Sequence, residues 1–274
     1  MAGFKPSGVI TLTTDFGLED PFVGVMKGRI LARFASARIV DLTHAIPAQR
    51  PLEAGFWLAR CFEYFPQGTV HVAVVDPGVG TARAIVCILV AGHALLAPDN
   101  GLLAAVWARH PQAETIELAA PRLAALGIER VSATFHGRDI FAPVAAELAC
   151  GRCAPEGLGE PRQGPSGGTH PTGEVPGPLQ RGRRSVAGSV VTVDHFGNLI
   201  TDIDAKHLEP FERLEVKIGG RIVPLRRTYA EARPRELLAL VNAFEVLEIA
   251  EREGSAAATL GIGRGARVTV QDAS

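Results

Sequence analysis

The architecture of this chain is set at Val74-Val75-Asp76-Pro77-Gly78-Val79-Gly80-Thr81-Ala82-Arg83. The apolar run from His71 to Val75 ends abruptly at an acid, and a loop rich in glycine and proline follows, with an arginine. A buried strand that runs into an acid and a tight loop places a carboxylate at the carboxyl end of the strand. In open α/β sheets, ligands bind at that end. The stretch therefore predicts an α/β protein with a polar site above its strand ends.

The same pattern occurs twice more within the first hundred residues. It is found at Ile10-Thr11-Leu12-Thr13-Thr14-Asp15-Phe16-Gly17 and at Leu95-Leu96-Ala97-Pro98-Asp99-Asn100-Gly101. A single acid before a glycine is most often a turn former. Three such acids, Asp15, Asp76 and Asp99, suggest one polar crevice.

Strand-like and helix-like segments alternate up to residue 150, where the last predicted helix, residues 139–150, ends. This alternation predicts βαβ units and a mainly parallel sheet. Residues 154–183 are dense in proline and glycine and are typical of a linker. Short β-like runs follow, among them residues 245–250, with a hairpin signal at Gly219-Gly220. We therefore expect an N-terminal α/β domain (residues 1–153), a linker (154–183) and a smaller, barrel-like, all-β C-terminal domain (184–274).

Bulk composition excludes several classes of protein. Hydrophobic residues make up 47% of the chain, charged residues 21%, and the net charge is −1. Without a basic block, the chain lacks the dense positive surface that generic nucleic-acid binding requires. No apolar run approaches the roughly 20 residues of a membrane span, and the first residues lack a signal-peptide core. We expect a cytoplasmic protein without nucleic-acid or membrane partners.

No metal site is predicted. Cys150-Gly151-Arg152-Cys153 has the C-x2-C spacing, but no second pair follows to complete the four ligands of a structural zinc site. The histidines His44, His93, His110, His170 and His207 are expected to be solvated or satisfied rather than ligands.

Two further motifs place titratable groups beside glycine, where the backbone can approach a ligand closely. They are Phe135-His136-Gly137-Arg138-Asp139 and Asp194-His195-Phe196-Gly197-Asn198. With the three strand-end motifs they form an ordered set of five. Together, and with the C-terminal stretch Asn242–Ala250, this set resembles the S-adenosyl-L-methionine (SAM) hydroxide adenosyltransferases, which are relatives of the SAM-dependent fluorinase and chlorinase. The resemblance extends from about Ile10 to Val270.

The resemblance implies hydrolysis of SAM to adenosine and L-methionine. It implies that Asp76, Arg83 and His136 surround the attacking water. These residue types suit the chemistry, because water is a feeble nucleophile with a pKa of about 15.7, whereas the thioether leaving group needs no acid. A positioned acid–base group contributes roughly 10²–10⁴-fold to such a step.

The resemblance also implies which residues bind the substrate. Asp15 matches the acid that holds the ribose hydroxyls, and Asn100 lies in a matched strand-end motif. The second-domain motif that grips the methionine moiety supplies Asp194, Phe196 and Asn198, and the adenine-binding positions fall on Tyr229 and Asn242. No cofactor is implied, since SAM is the substrate. Family members are trimers with each site between one subunit's first domain and its neighbour's second.

Two alternative functions stay open at the level of sequence. A SAM-dependent halogenase would form a 5′-halo-adenosine, but a carboxylate at residue 76 would repel a halide. The tight turn at Val90-Ala91-Gly92-His93-Ala94 also replaces an insertion that the fluorinase carries. The other alternative is a non-catalytic adenosyl or nucleoside sensor that kept the pocket and lost turnover.

Overall fold

The computed structural model describes residues 4–165, 180–182, 185–209, 211 and 213–272. The chain divides into two compact units, Met1–Pro171 and Thr172–Ser274. The first unit is a sheet covered by helices on both faces, and the second is built around an antiparallel sheet. The predicted α/β class is confirmed.

A seven-stranded sheet with the strand order β2-β1-β3-β5-β4-β6-β7 forms the first unit. The first four strands in this order are parallel, and each of the last three pairs antiparallel with the strand before it. The sheet is therefore mixed, and the prediction of a mainly parallel sheet was wrong in this respect. The change of direction occurs at Ala91-Gly92, a two-residue turn with φ of 49° and 81° that joins β4 directly to β5. The strands are β1 Val9–Thr14, β2 Arg38–Thr43, β3 Val70–Val74, β4 Ile85–Val90, β5 His93–Pro98, β6 Glu114–Leu118 and β7 Gly159–Arg162.

Alternate residues of the central strands face two separate cores. Val72 and Val74 of β3 pack on the side of α1 and α5, whereas Ala73 and Val75 pack on the side of α2 and α3. A sheet that is buried on both faces has the near-continuous apolar strands seen in this sequence. The helices are α1 Phe22–Arg33, α2 Pro51–Cys61, α3 Ala104–Arg109, α4 Ala120–Ala125 and α5 Ala142–Ala149.

The helix predicted over residues 139–150 begins differently from the expectation. Residues Gly137–Phe141 form one wide π-helical turn, closed by a hydrogen bond from the Ala142 N–H to the Gly137 carbonyl, and only then does α5 follow. Pro143 provides a physical reason, because its ring has no N–H and crowds the carbonyl four residues earlier. A wider turn at this point accommodates the ring without breaking the helix.

The predicted linker overlaps the first unit. β7, at residues 159–162, pairs with β6 at the edge of the sheet. The first unit therefore extends beyond residue 153. Residues 166–179 and 183–184 of the predicted linker lie outside the described residues, and the linker there stays a prediction.

The second unit is an eight-stranded antiparallel sheet that almost closes on itself. A bridge between Leu225 and Ala239 connects the two ends of the strand order. The predicted hairpin is confirmed, since Gly219 and Gly220 have φ of 55° and 73° and join β11 to β12. The strands are β8 Gln180–Gly182, β9 Ser185–Val193, β10 Leu199–Asp204, β11 Leu214–Ile218, β12 Arg221–Val223, β13 Leu237–Val241, β14 Val246–Glu251 and β15 Arg267–Asp272, and α6 is Ala256–Leu260.

None of the described helices has the length and apolar character that crossing a bilayer requires. The cysteines are free thiols, and Cys150 and Cys153 each contact a neighbouring backbone carbonyl. Within the described ranges, His, Cys, Asp and Glu side chains form no group of three or more arranged to hold a metal ion.

Candidate active site

The carboxyl ends of three neighbouring parallel strands carry the predicted polar residues of the first unit. Asp15 follows β1, Asp76 follows β3, and Asn100 follows β5. Because parallel strands end at the same edge of a sheet, these residues share one edge. This is the edge at which α/β proteins bind ligands.

Asp76 and Arg83 form a buried bidentate ion pair. The Arg83 Nε donates to both carboxylate oxygens of Asp76, at 2.7 and 2.8 Å, and its Nη2 also contacts Oδ2. Only 4% of the Asp76 side chain and 9% of the Arg83 side chain are exposed. Such fork-to-carboxylate pairing fixes the orientation of both groups.

The loop between Asp76 and Arg83 is a tight turn. Thr81 donates through its backbone N–H and its hydroxyl to the Gly78 carbonyl, at 3.2 and 2.7 Å. Gly80 has φ of 79°, and a Cβ there would collide with the carbonyl oxygen of Ala133. Glycine is therefore required by both conformation and space. The turn returns Arg83 to the end of β3.

His136 completes this cluster, which we call the Asp76 cluster and define as Asp76, Arg83 and His136. The Arg83 Nη2 donates to His136 Nδ1 at 2.8 Å. A guanidinium can only donate, so Nδ1 is the unprotonated acceptor and the neutral ring carries its hydrogen on Nε2. Burial lowers the pKa of His136, and the charge of Arg83 lowers it further. The structure thus brings together the three residues predicted to carry the chemistry.

Asp15 lies in the electrostatic neighbourhood of this cluster. Its Oδ2 accepts a hydrogen bond from the Gln49 backbone N–H at 2.8 Å. Burial raises the pKa of Asp15, and the charge of Asp76 adds to the increase, although the bond from Gln49 opposes it. Gln49 has φ of 62°, an uncommon conformation for a residue other than glycine.

The polar residues after the third strand, β5, bond to other parts of the first unit. Asn100 Nδ2 donates to the Val75 carbonyl at 2.8 Å, and its Oδ1 accepts from the Leu102 N–H at 3.3 Å. Asp99, which the sequence placed in the same crevice, is buried and forms an ion pair at 2.9 Å with the partly exposed Arg162 of β7. Asn100 therefore braces the end of β3 behind Asp76, and its contact with substrate stays a prediction.

His44 is a residue whose contribution the sequence analysis missed. Its Nδ1 lies 2.8 Å from the Thr14 hydroxyl, and its backbone carbonyl accepts from the Gly17 N–H at 2.9 Å. Its Nε2 lies 3.0 Å from Asp41. These contacts hold the short segment that carries Asp15 from both sides. The signal available in the sequence was a histidine directly after the strand that follows the Asp15 strand along the chain.

In the second unit, the predicted methionine-binding motif forms a self-braced loop. Asp194 Oδ1 accepts from the backbone N–H groups of Phe196 and Asn198 at 2.9 and 2.8 Å, and Oδ2 accepts from Asn198 Nδ2 at 2.9 Å. Gly197 supplies the positive φ, 84°, that the turn requires. Phe196 is left 73% exposed. Asp194 and Asn198 thus hold each other while the loop presents an aromatic ring.

Tyr229 and Asn242 converge on a residue that was not predicted, Glu248. The Tyr229 hydroxyl donates to Glu248 Oε1 at 2.6 Å, and Asn242 Nδ2 donates to Oε2 at 3.1 Å. Burial raises the pKa of Glu248, and burial together with the Glu248 carboxylate raises the pKa of Tyr229 above its usual range. The sequence signal was an acid within an apolar run that was already predicted to be a strand.

An α/β unit that gathers a carboxylate, a guanidinium and an imidazole at its strand ends, followed by a barrel-like unit with a second polar cluster, has the organisation of an enzyme acting on a small molecule. Two family models identify the enzyme family. Residues 10–159 match the SAM hydroxide adenosyltransferase N-terminal domain, and residues 188–269 match the C-terminal domain. The chain belongs to the SAM hydroxide adenosyltransferase family.

Individual relatives agree with this assignment. A protein of Thermus thermophilus named (R)-S-adenosyl-L-methionine hydrolase is 41% identical, with 92% of this chain and 95% of the relative covered. A crystal structure of an uncharacterised conserved protein from Thermotoga maritima has a TM-score of 0.85 and 31% identity, covering 96% of this chain and 99% of the other. A protein of Nocardia brasiliensis named fluorinase is more distant, at 25% identity over 82% of this chain and 83% of its own.

The resemblance inferred from the five motifs is confirmed. The two model matches span both units, as the ordered motifs do. The roles of individual site residues stay predictions.

Proposed function

We propose that this chain hydrolyses SAM to adenosine and L-methionine by in-line attack of water on C5′. One observation carries the proposal: Asp76, Arg83 and His136 are joined by direct hydrogen bonds at a strand end. In the reaction, the bond from water oxygen to C5′ forms as the bond from C5′ to sulfur breaks. The electron pair of the broken bond neutralises the sulfonium, and one proton is released from the water.

The geometry of the Asp76 cluster supports a division of labour. Arg83 donates to both Asp76 and His136, so the guanidinium fixes both neighbours and adds positive charge where hydroxide character develops. Asp76 is the anionic group available to hold the water or accept its proton, and the Nε2–H of His136 can donate to the attacking oxygen. Alignment of this kind contributes several kcal/mol.

The remaining roles are proposed from family membership. Asp15 holds the ribose hydroxyls, with Asn100 behind the same edge of the sheet. In the second unit, the methionine moiety is held by Asp194, Phe196 and Asn198, and adenine is bound by Tyr229 and Asn242. No metal or organic cofactor enters the reaction as proposed.

The decisive experiment is a product assay in water enriched in ¹⁸O. Purified protein is incubated with SAM, the products are separated by chromatography, and their masses are measured by mass spectrometry. We expect adenosine with ¹⁸O in its 5′-hydroxyl, together with unlabelled L-methionine. Because the named relatives carry the descriptor (R), each sulfonium epimer of SAM is assayed separately, and turnover of the (R) epimer is expected.

Two outcomes would contradict the proposal. A 5′-halo-adenosine formed on addition of chloride or fluoride would identify a halogenase. Binding of SAM without any adenosine from either epimer would identify a sensor. The buried carboxylate of Asp76 disfavours a halide at this position, since like charges in a low-dielectric site repel strongly.

We also propose a cytoplasmic homotrimer in which each site combines residues from two subunits, as the family resemblance implies. Light scattering after size-exclusion chromatography should give three times the 29.0 kDa of one chain. Inactive Asp76→Asn and Asp194→Asn variants, dissociated and reassembled together, should regain part of the activity. A monomeric mass, or no recovery in mixed trimers, would contradict this arrangement.

Fractionation of the source cells tests the proposed cytoplasmic location.

A further inference from the structure

We propose that Glu248 is a positioning residue for substrate binding: its carboxylate fixes the ring of Tyr229 and the amide of Asn242 in one arrangement. The inference rests on the proposed function for what those two side chains bind. It extends that function to a residue that lies behind the site rather than in contact with the substrate.

Glu248 lies on an interior strand of the sheet, which is paired on both sides. It lies in β14, between β10 and β13, opposite Ile200 on one side and Leu240 on the other. Its neighbours Leu247 and Ile249 face the barrel core, and Glu248 shares the opposite face with Ala250. Only 3% of Glu248 is exposed. A carboxylate in such a place is tolerated when its oxygens are hydrogen-bonded, as both are here.

The orientation of Asn242 is locked from the other side. Its Oδ1 accepts from the backbone N–H groups of Phe244 and Val246, at 2.9 and 3.4 Å, in the turn between β13 and β14. The amide cannot rotate by half a turn without losing these bonds. Nδ2, a pure donor, therefore faces Glu248, and residue 248 must offer an acceptor there.

The Tyr229 backbone is held independently of its ring. Thr228 caps the short turn Tyr229–Glu231, and Arg252 Nη1 donates to the carbonyls of Ala230 and Ala232 at 3.3 and 2.7 Å. Within the described part of the chain, the ring is hydrogen-bonded only through its hydroxyl, and Tyr229 is 45% exposed. Glu248 thus sets the direction of a ring whose remaining surface is open to a ligand.

These contacts favour a carboxylate over an amide at residue 248. Both incoming groups, the tyrosine hydroxyl and the locked Asn242 amide, donate. Glutamate supplies two acceptor oxygens, whereas glutamine supplies one acceptor and one donor. With glutamine, the Tyr229 hydroxyl would have to change from donor to acceptor to keep its bond. The arrangement also has an electrostatic cost, since Asp194 acts on the same neighbourhood and raises the pKa of Glu248. Costly buried charges of this kind are concentrated at functional sites.

The test combines four variants with two measurements. Glu248→Gln keeps the length of the side chain and removes one acceptor. Glu248→Asp keeps the charge and loses the reach, and Tyr229→Phe removes the donor. Glu251→Gln is the matched control, because Glu251 is equally buried on the same strand but bonds Thr259 and Arg235.

The first measurement needs no substrate. The chain has two tyrosines, so a Tyr64→Phe background leaves Tyr229 as the sole tyrosine, and its ionisation is followed by ultraviolet absorbance. Glu248→Gln should shift the titration of Tyr229 by about one pH unit or more toward the ordinary value near 10, and Glu251→Gln should leave it unchanged. An unchanged titration in Glu248→Gln would overturn the inference whether or not the protein turns over SAM.

The second measurement separates positioning from general stability. Glu248→Gln, Glu248→Asp and Tyr229→Phe should each raise KM for SAM about tenfold while kcat changes less than threefold, the pattern of lost binding. Because Tyr229→Phe removes a contact that Glu248→Gln already disturbs, the two substitutions together should raise KM no further than the larger single effect. Multiplying effects, or full activity in Glu248→Asp, would overturn the inference. Absence of turnover in the unmodified protein would instead count against the proposed function.

Discussion

Arg83 donates a hydrogen bond to Nδ1 of His136 at 2.8 Å. This contact assigns the tautomer of the imidazole, because the acceptor nitrogen cannot carry a proton and the hydrogen must reside on Nε2. It also makes the guanidinium a bridge, since the same side chain holds both oxygens of Asp76. The properties of His136 therefore depend on Arg83.

We expect Arg83→Gln to raise the pKa of His136. Burial is the main cause of the lowered pKa and remains in the variant, so the value should move only part of the way to about 6.5. Activity that needs neutral His136 is present above its pKa and lost as the pH falls through it, so the acid limb should lie at higher pH in the variant. Nuclear magnetic resonance titration of the imidazole, assigned with His136→Gln, measures the shift. A downward shift would contradict the bridge.

Asp76→Asn should abolish most turnover while leaving the affinity for SAM within about tenfold, because the lost interaction acts mainly on the transition state. A decrease in kcat of roughly 10²–10⁴-fold is the expected size for a positioned acid–base group. Asp99→Asn is the matched control, since Asp99 is also a strand-end acid, is 3% exposed and is paired with an arginine. Single-turnover kinetics and calorimetric binding separate the two effects. Equal kcat values in the two variants would remove Asp76 from the mechanism.

His44→Phe should weaken substrate binding through Asp15. The substitution removes the bond to the buried Thr14 hydroxyl, at a cost of about 1–3 kcal/mol in the free energy of unfolding. Since Thr14 precedes Asp15, we expect KM for SAM to rise several-fold more than kcat falls. His110→Gln is the control, because His110 pairs with the exposed carboxylate of Glu63 instead. Comparable KM values in the two variants would show that His44 supports only the fold.

The first unit should lose stability in acid through His71. This ring is buried against Thr11 and His93, at 2.8 and 3.2 Å, and burial followed by the charge of His93 lowers its pKa to about 3. The unfolded chain binds the proton below about pH 6.5, so the free energy of unfolding should fall as the pH decreases from there toward 3, by up to about 1.4 kcal/mol per pH unit.

Urea unfolding followed by tryptophan fluorescence measures this loss in the first unit, since both tryptophans, Trp57 and Trp107, lie in it. His71→Leu should make the slope between about pH 6.5 and pH 4.5 shallower, because one titrating group is removed. An unchanged slope would assign the acid sensitivity to other groups.

Local sequence signals predicted the residues that end strands. Asp15 and Asp76 follow apolar runs, and the direction of those runs fixed the edge of the sheet on which they lie. The same reasoning placed Asp99 there too, but its partner Arg162 lies on β7, within a segment whose composition is that of a linker. A short edge strand of Gly, Glu, Pro and Arg carries no periodic apolar signal of its own.

Contacts between distant residues could not be predicted in this way. Glu248 lies in a strand that was expected, yet its importance comes from Tyr229, which is nineteen positions earlier in the chain. His44 likewise depends on a register between two strands, through Thr14. Sequence patterns report which residues are buried, whereas partners follow from topology.

The orientation of the His136 ring depends on the number of residues in the π-helical turn Gly137–Phe141. Each residue advances an α-helix by about 100°, so deletion of one residue within this turn would restore an ordinary pitch while α5 kept its buried face. The imidazole would then swing about a quarter of a revolution away from Arg83. A change in the number of residues in this segment would therefore break the hydrogen bond between His136 and Arg83.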